Sequence, residues 1–210
     1  MKTMVAMPCL DTIQTETVQC LLNMEKIGDV RFDLLSCSLV YKSRTDLGLK
    51  AIAGGMDYVL WIDSDMVFPP NLMADLMKDM EGRDMVGAVC HMRRAPFRPV
   101  FYKKLRQGLT PAENESEHYD DYPTDGIFPV EGVGFGCVMM RTKVLKAVVD
   151  KYHELFAPIP GYGEDLSFCI RARACGFDIH VDPKLQIGHK ASTIVTNKTF
   201  EAYRNGHAIE

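Results

Sequence analysis

Asp57-Tyr58-Val59-Leu60-Trp61-Ile62-Asp63-Ser64-Asp65 is the stretch whose reading decides the fold. Residues 58–62 form an unbroken apolar run, the pattern of a strand covered on both faces and so expected in the middle of a parallel sheet. Two carboxylates follow at its carboxyl end, where burial is costly unless something pairs with them. In an open α/β sheet, ligands bind in the crevice outside that end of the strands. Side chains at i and i+2 share a face while a strand persists, so Asp63 and Asp65 can address one site. A hard divalent cation, Mg²⁺ or Mn²⁺, takes carboxylate and phosphate oxygens. The same triplet also fits a plainer reading, in which Asp63 caps the next element and Asp65 is exposed at the turn.

Outward from this strand, short β-rich runs alternate with helical ones, the signature of an α/β layer fold. Thr3–Met7 reads as a first strand, followed by a helical stripe of Val18, Leu21 and Leu22. A second strand is expected over Asp33–Val40, then a helix carrying Leu49, Ile52 and Ala53 and closed by Gly54-Gly55. Pro69-Pro70 permits a helix start, and Leu72, Met73, Leu76, Met77 and Met80 make its core stripe. Met85–Val89 is another strand. The segment 108–125 is polar, acidic and without periodicity, and reads as a surface loop of functional-lid length within a specificity loop over 93–125. Regular structure returns with strands at Ile127–Val130 and Cys137–Met140 and a helix bearing Val144, Leu145, Val148 and Val149. A last helix runs from Glu164 to Gly176, and a strand follows over Phe177–Val181.

The chain has 210 residues, a length that favours one domain. With 47% hydrophobic and 25% charged residues it is neither disordered nor fibrous. A net charge of −4 without a basic stripe argues against nucleic-acid binding. No apolar run reaches the roughly 18–20 residues of a membrane span. The apolar part of the N-terminus is too short for a signal peptide, so a cytoplasmic protein is expected. The seven cysteines are spread singly, which disfavours a disulfide framework or a structural zinc site.

Three further clusters carry candidate chemistry. Gly163-Glu164-Asp165 opens a helix, where the dipole favours carboxylates. There Asp165 can simply complement the dipole or accept a proton from an alcohol. His189, in Gly188-His189-Lys190, can be structural or can complete an oxygen-rich metal site as a neutral imidazole. Gly132-Val133-Gly134-Phe135-Gly136 allows close packing or the close approach of a sugar ring. Arg44, at the start of the helix after the second strand, can pair with a phosphate or with Asp63, or can be a solvated surface arginine.

In order, these pieces resemble a family-2-like glycosyltransferase of the GT-A fold and are similar to short phage and bacterial members. The matching text is Met7–Asp11, Ser43-Arg44-Thr45, Asp57–Asp65, Gly132–Arg141, Gly163-Glu164-Asp165, Arg171–Phe177 and His189. The resemblance implies an α/β domain with a central, mostly parallel sheet flanked by helices. It divides into a nucleotide-binding half (about 1–90), an acceptor-binding half (about 91–190) and a tail (191–210). It implies transfer of a sugar from a UDP- or GDP-linked donor to a hydroxyl acceptor, with Mn²⁺ or Mg²⁺ and, by preference, inversion. Pro8, Cys9 and Asp11 would hold the base, and Arg44, Asp63 and Ser64 the rest of the donor. Asp65 and His189, with Asp63 beside them, would hold the cation. Asp165 would be the catalytic base, and Glu164, Gly134 and Gly136 would meet the acceptor.

Two other phosphate enzymes are disfavoured. A haloacid-dehalogenase-like phosphatase needs its aspartates after the first strand and a threonine at position 67, which is Val67. A sugar nucleotidylyltransferase needs a Gly-rich, Arg-containing loop where Pro8-Cys9-Leu10-Asp11 stands. The remaining alternative is a catalytically silent module that binds sugar or a partner protein.

Overall fold

The computed structural model describes residues 1–191; the expected tail beyond residue 191 lies outside the described residues. In chain order the elements are β1 (Lys2–Cys9), α1 (Thr15–Asn23), β2 (Asp29–Ser36), α2 (Val40–Ala53), β3 (Tyr58–Ile62) and β4 (Met66–Val67). Next come α3 (Leu72–Asp79), β5 (Met85–Val89), β6 (Phe101–Arg106), β7 (Glu115–His118), β8 (Phe128–Val130) and β9 (Gly132–Val133). The series closes with β10 (Cys137–Arg141), α4 (Thr142–Tyr152), α5 (Glu164–Ala174), β11 (Ile179–Gln186) and β12 (Gly188–His189).

Seven strands build the central sheet in the order β2-β1-β3-β10-β5-β11-β8. β2, β1, β3, β5 and β11 run one way, while β10 and β8 run against them. β3 therefore has a parallel neighbour on one side only; its other partner is the antiparallel β10. The sheet is mostly parallel, as expected, and β10 hides β3 as well as a parallel neighbour would because it is itself covered on both faces. Two small sheets, β12-β4 and β7-β6-β9, sit beside the main one.

Alternation along the central strands sorts the core into two layers. Met4 and Ala6 of β1, Val59 and Trp61 of β3, and Val138 and Met140 of β10 share one face with α2, α4 and α5. Val5, Met7, Leu60, Ile62, Cys137 and Met139 share the other with α3. Trp61 is closed over by Phe156 at 5.3 Å and Phe135 at 6.2 Å. Each such aromatic contributes about 1.5–3 kcal/mol by burial.

Several expected boundaries move. The second strand ends at Ser36, and Val40 already belongs to α2, whose buried face is Ser43, Arg44, Leu47, Gly48 and Ala51; Leu49 is exposed. Only part of the stripe on α1 meets the core: Leu21 packs against the second layer and Thr17 turns inward, while Val18 and Leu22 are exposed. The segment 108–125 is not loop throughout, since β7 pairs with β6 and residues Pro111–Glu113 make a short 3₁₀ turn. β11 starts at Ile179 and runs on to Gln186.

Candidate functional site

A cleft of about 450 Å³ opens at the carboxyl ends of the parallel strands. β1 supplies Pro8 and Cys9 with Leu10 just beyond it, the turn after β2 supplies Cys37 and Ser38, and α2 opens with Val40. Asp63, Ser64 and Asp65 follow β3, Arg93 follows β5, His189 follows β11, and Glu164 opens α5.

Asp63 continues the face of Val59 and Trp61, and so meets α2. There Arg44, only 2% exposed, donates from Nη2 to Asp63 Oδ1 at 2.8 Å and from Nε to Glu164 Oε1 at 3.2 Å. Its guanidinium lies 5.9 Å from the Trp61 ring and 5.5 Å from that of Phe135. Burial opposes the charge on Arg44, but Asp63 and Glu164 outweigh it and raise its pKa. Nη1 is buried with no hydrogen-bond partner among the described residues, a donor that costs free energy until something accepts from it. The Asp63 backbone is fixed in turn by its N–H donating to the Gly136 carbonyl at 3.0 Å.

Asp65 stands past the end of β3, beside the β4–β12 pair. His189 pairs with Met66 in register, and the Lys190 N–H donates to the Asp65 carbonyl at 2.8 Å. This brings His189 Nε2 to 3.3 Å from Asp65 Oδ2. The other ring nitrogen, Nδ1, lies 2.8 Å from the His91 carbonyl and so carries the proton of the neutral ring. Nε2 therefore faces the Asp65 carboxylate, donating to it when the ring is protonated and offering a lone pair when the ring is neutral. Burial disfavours protonation of His189, but Asp65 and the His91 carbonyl prevail and raise its pKa. Burial likewise pushes Asp65 up, but the His189 hydrogen bond and the charges of His189 and Arg93 hold it below the ordinary carboxylate value.

An imidazole nitrogen oriented by a carbonyl, beside a carboxylate oxygen, suits Mn²⁺ or Mg²⁺ if phosphate and water complete the shell. Among the described residues no group of three His, Cys, Asp or Glu could hold an ion alone. Asp63 lines the same cleft, with its Oδ1 engaged by Arg44. The strand ends at Ile62, so the i, i+2 rule does not by itself align the two aspartates.

Asp165 follows Glu164 at the start of α5 but does not line the cleft itself. Its Oδ1 accepts from the Leu166 N–H at 2.7 Å. Burial, reinforced by the negative charge of Glu164, raises its pKa to about 6. Tyr102 of β6 senses Asp165 as well: burial and that carboxylate both push its hydroxyl upward.

Of the remaining candidates, Pro8, Cys9 and Ser64 line the cleft, whereas Asp11 is exposed and stands outside it. Gly134 and Gly136 are buried. A Cβ on Gly134 would meet Val100 at 3.1 Å, and one on Gly136 would meet Met66 at 3.1 Å and Cys90 at 3.2 Å. At both positions close internal packing leaves little room for a side chain. Sequence reasoning missed Cys37, Ser38 and Val40; it included Leu10 only within the base-binding turn 8–11 and Arg93 only as the start of the specificity loop 93–125. Ending the second strand at Ser36 would have exposed residues 37–40 as crevice positions; Arg93 carried no spacing signal.

No family model matches the chain, and no curated relative matches it. Solved structures do. A197 from STIV superposes with a TM-score of 0.58 at 16% identity, covering 93% of this chain and 97% of that one. S. aureus TarS 1–349 in complex with UDP-GlcNAc gives 0.55 at 14% identity, over 93% of this chain and 60% of that one. GalNAc-T7 with UDP, GalNAc and Mn²⁺ gives 0.58 at 8% identity, over 90% and 43%. The chain thus spans less than two thirds of TarS 1–349 and of GalNAc-T7. The fold is the GT-A-like glycosyltransferase fold.

Proposed function

We propose that the protein is a divalent-cation-dependent glycosyltransferase that moves a sugar from a nucleotide-diphospho-sugar to a hydroxyl acceptor. The observation that carries this reading is His189 Nε2 standing 3.3 Å from Asp65 Oδ2 in a crevice at the strand ends, with Nδ1 oriented by the His91 carbonyl. The likeness to TarS with UDP-GlcNAc and to GalNAc-T7 with UDP and Mn²⁺ supports a UDP-linked donor, with a GDP-linked one as the alternative.

Residues 1–90 form the nucleotide half, joined at the cleft by Arg93, Glu164 and His189 from residues 91–190. Pro8 and Cys9 border the base, and Ser38 and Ser64 offer hydroxyls to the nucleoside. Arg44 holds Asp63 in place for the ribose or sugar, and Asp65 with His189 would hold the cation. Bound there, the cation would neutralise the charge that grows on the leaving diphosphate. Three carboxylates in the cleft (Asp63, Asp65 and Glu164) face two guanidiniums, so a diphosphate entering alone meets no net attraction. Asp165 is the base that takes the acceptor proton, beside Glu164, which contacts the acceptor. Direct displacement with inversion is the preferred stereochemical course. A pKa near 6 leaves Asp165 ionised at neutral pH yet able to receive a proton.

Thermal unfolding with Mn²⁺ and UDP tests the site. At about 100-fold excess over Kd the stabilisation is about 2.7 kcal/mol, a rise of roughly 5–10 °C for a chain of this size. Asp65→Ala removes the rise. A shift that survives that substitution refutes the cation assignment, and turnover of no nucleotide sugar despite the shift would leave a binding module.

A further inference from the structure

Arg93 has no role in the chemistry above, yet it touches the atom on which that chemistry turns. It is 57% exposed, and its Nη1 donates to Asp65 Oδ2 at 2.8 Å. That is the same oxygen His189 Nε2 faces at 3.3 Å. The segment that carries Arg93 is closed at its base by the His91–Pro99 bridge and by the Met92 N–H donating to the Arg98 carbonyl at 2.9 Å. The His91 carbonyl in this segment also orients His189. One short loop thus sets the direction of one ligand and neutralises the other.

A guanidinium and a divalent cation on a single carboxylate oxygen repel each other. We propose that Arg93 is a displaceable counter-ion. Without nucleotide it occupies Asp65; when a diphosphate arrives with the cation, the guanidinium transfers to phosphate oxygens, which suit its planar fork. Resting on the cation site assigned above, this makes cation and nucleoside diphosphate bind with positive coupling, part of which runs through one exchangeable ion pair. It also gives the donor phosphates a second cationic contact from the acceptor half of the chain. The exposure of Arg93 lets it move without unfolding anything.

The test measures Mn²⁺ binding by calorimetry, and UDP binding with and without saturating Mn²⁺, for the wild type, Arg93→Ala, Arg93→Lys and Arg94→Ala. Because the ion pair is half-exposed, Arg93→Ala should bind Mn²⁺ alone about three- to tenfold more tightly. The factor by which Mn²⁺ strengthens UDP binding should fall to a similar degree. Arg93→Lys should lie between, and Arg94→Ala should match the wild type. Unchanged or weaker Mn²⁺ binding in Arg93→Ala, with the coupling intact, overturns the proposal while leaving the cation site standing. If neither the folded wild type nor Arg93→Ala binds Mn²⁺ with UDP present, the cation site itself fails, and this inference with it.

Discussion

Asp165 illustrates how one position can be unfavourable for the fold and useful for the chemistry. The helix N-terminus favours its negative charge, but burial and the adjacent Glu164 oppose it more strongly and raise the pKa to about 6. The folded-state value is thus above the ordinary value of 3.8. The ionised form is therefore a cost that is fully present above pH 6 and relieved as pH falls from 6 toward 4. Asp165→Asn should raise stability at pH 7.5 by about 1–3 kcal/mol, and this gain should shrink by pH 5, as denaturant titration would show. The same substitution removes the base, so transfer should drop by about 10²–10⁴-fold. In the wild type, kcat/KM should rise with pH through an apparent pKa near 6, a limb absent from the residual activity of the variant.

At the scale of elements, the cleft depends on how closely β10 and its neighbours pack. β5 carries Gly87 opposite Val138, and a Cβ there would lie 2.9 Å from Val133 Cγ2. Valine is stiff at χ1 and has no room to yield. Gly87→Ala should cost about 1–3 kcal/mol, read as a lower urea midpoint with an unchanged slope. Periodicity located β5, α3, α4 and α5 well, since each buries a stripe or a whole strand. It misplaced the buried faces of α1 and α2. On α2 the inward side holds Ser43, Arg44 and Gly48, which no hydrophobic count selects. The Arg44 side chain is buried because two carboxylates and two aromatic rings surround it, and all of these come from other elements.

At the scale of the whole molecule, the site forms where six segments distant in sequence end on one edge of the sheet. Both cores close without Asp65, whose carboxylate is paired with Arg93. A chelator should therefore leave the unfolding temperature of the nucleotide-free protein unchanged while abolishing the stabilisation by UDP, as differential scanning calorimetry would show. Among the described residues no helix is long and apolar enough to cross a membrane.

The sequence alone determined the layered α/β architecture and the two acidic clusters, because hydrophobic periodicity and strand-end chemistry are local properties. It also supplied His189 as a partner for Asp65, through the order of its motifs. The tertiary structure decided how the carboxylates divide. Asp63 goes to Arg44, and Asp65 to His189 and Arg93, because the chain turns after Ile62 and ends the strand alternation that would have kept both on one face. It also decided that the glycines of 132–136 serve packing, since what fills the space above a missing Cβ comes from residues far along the chain.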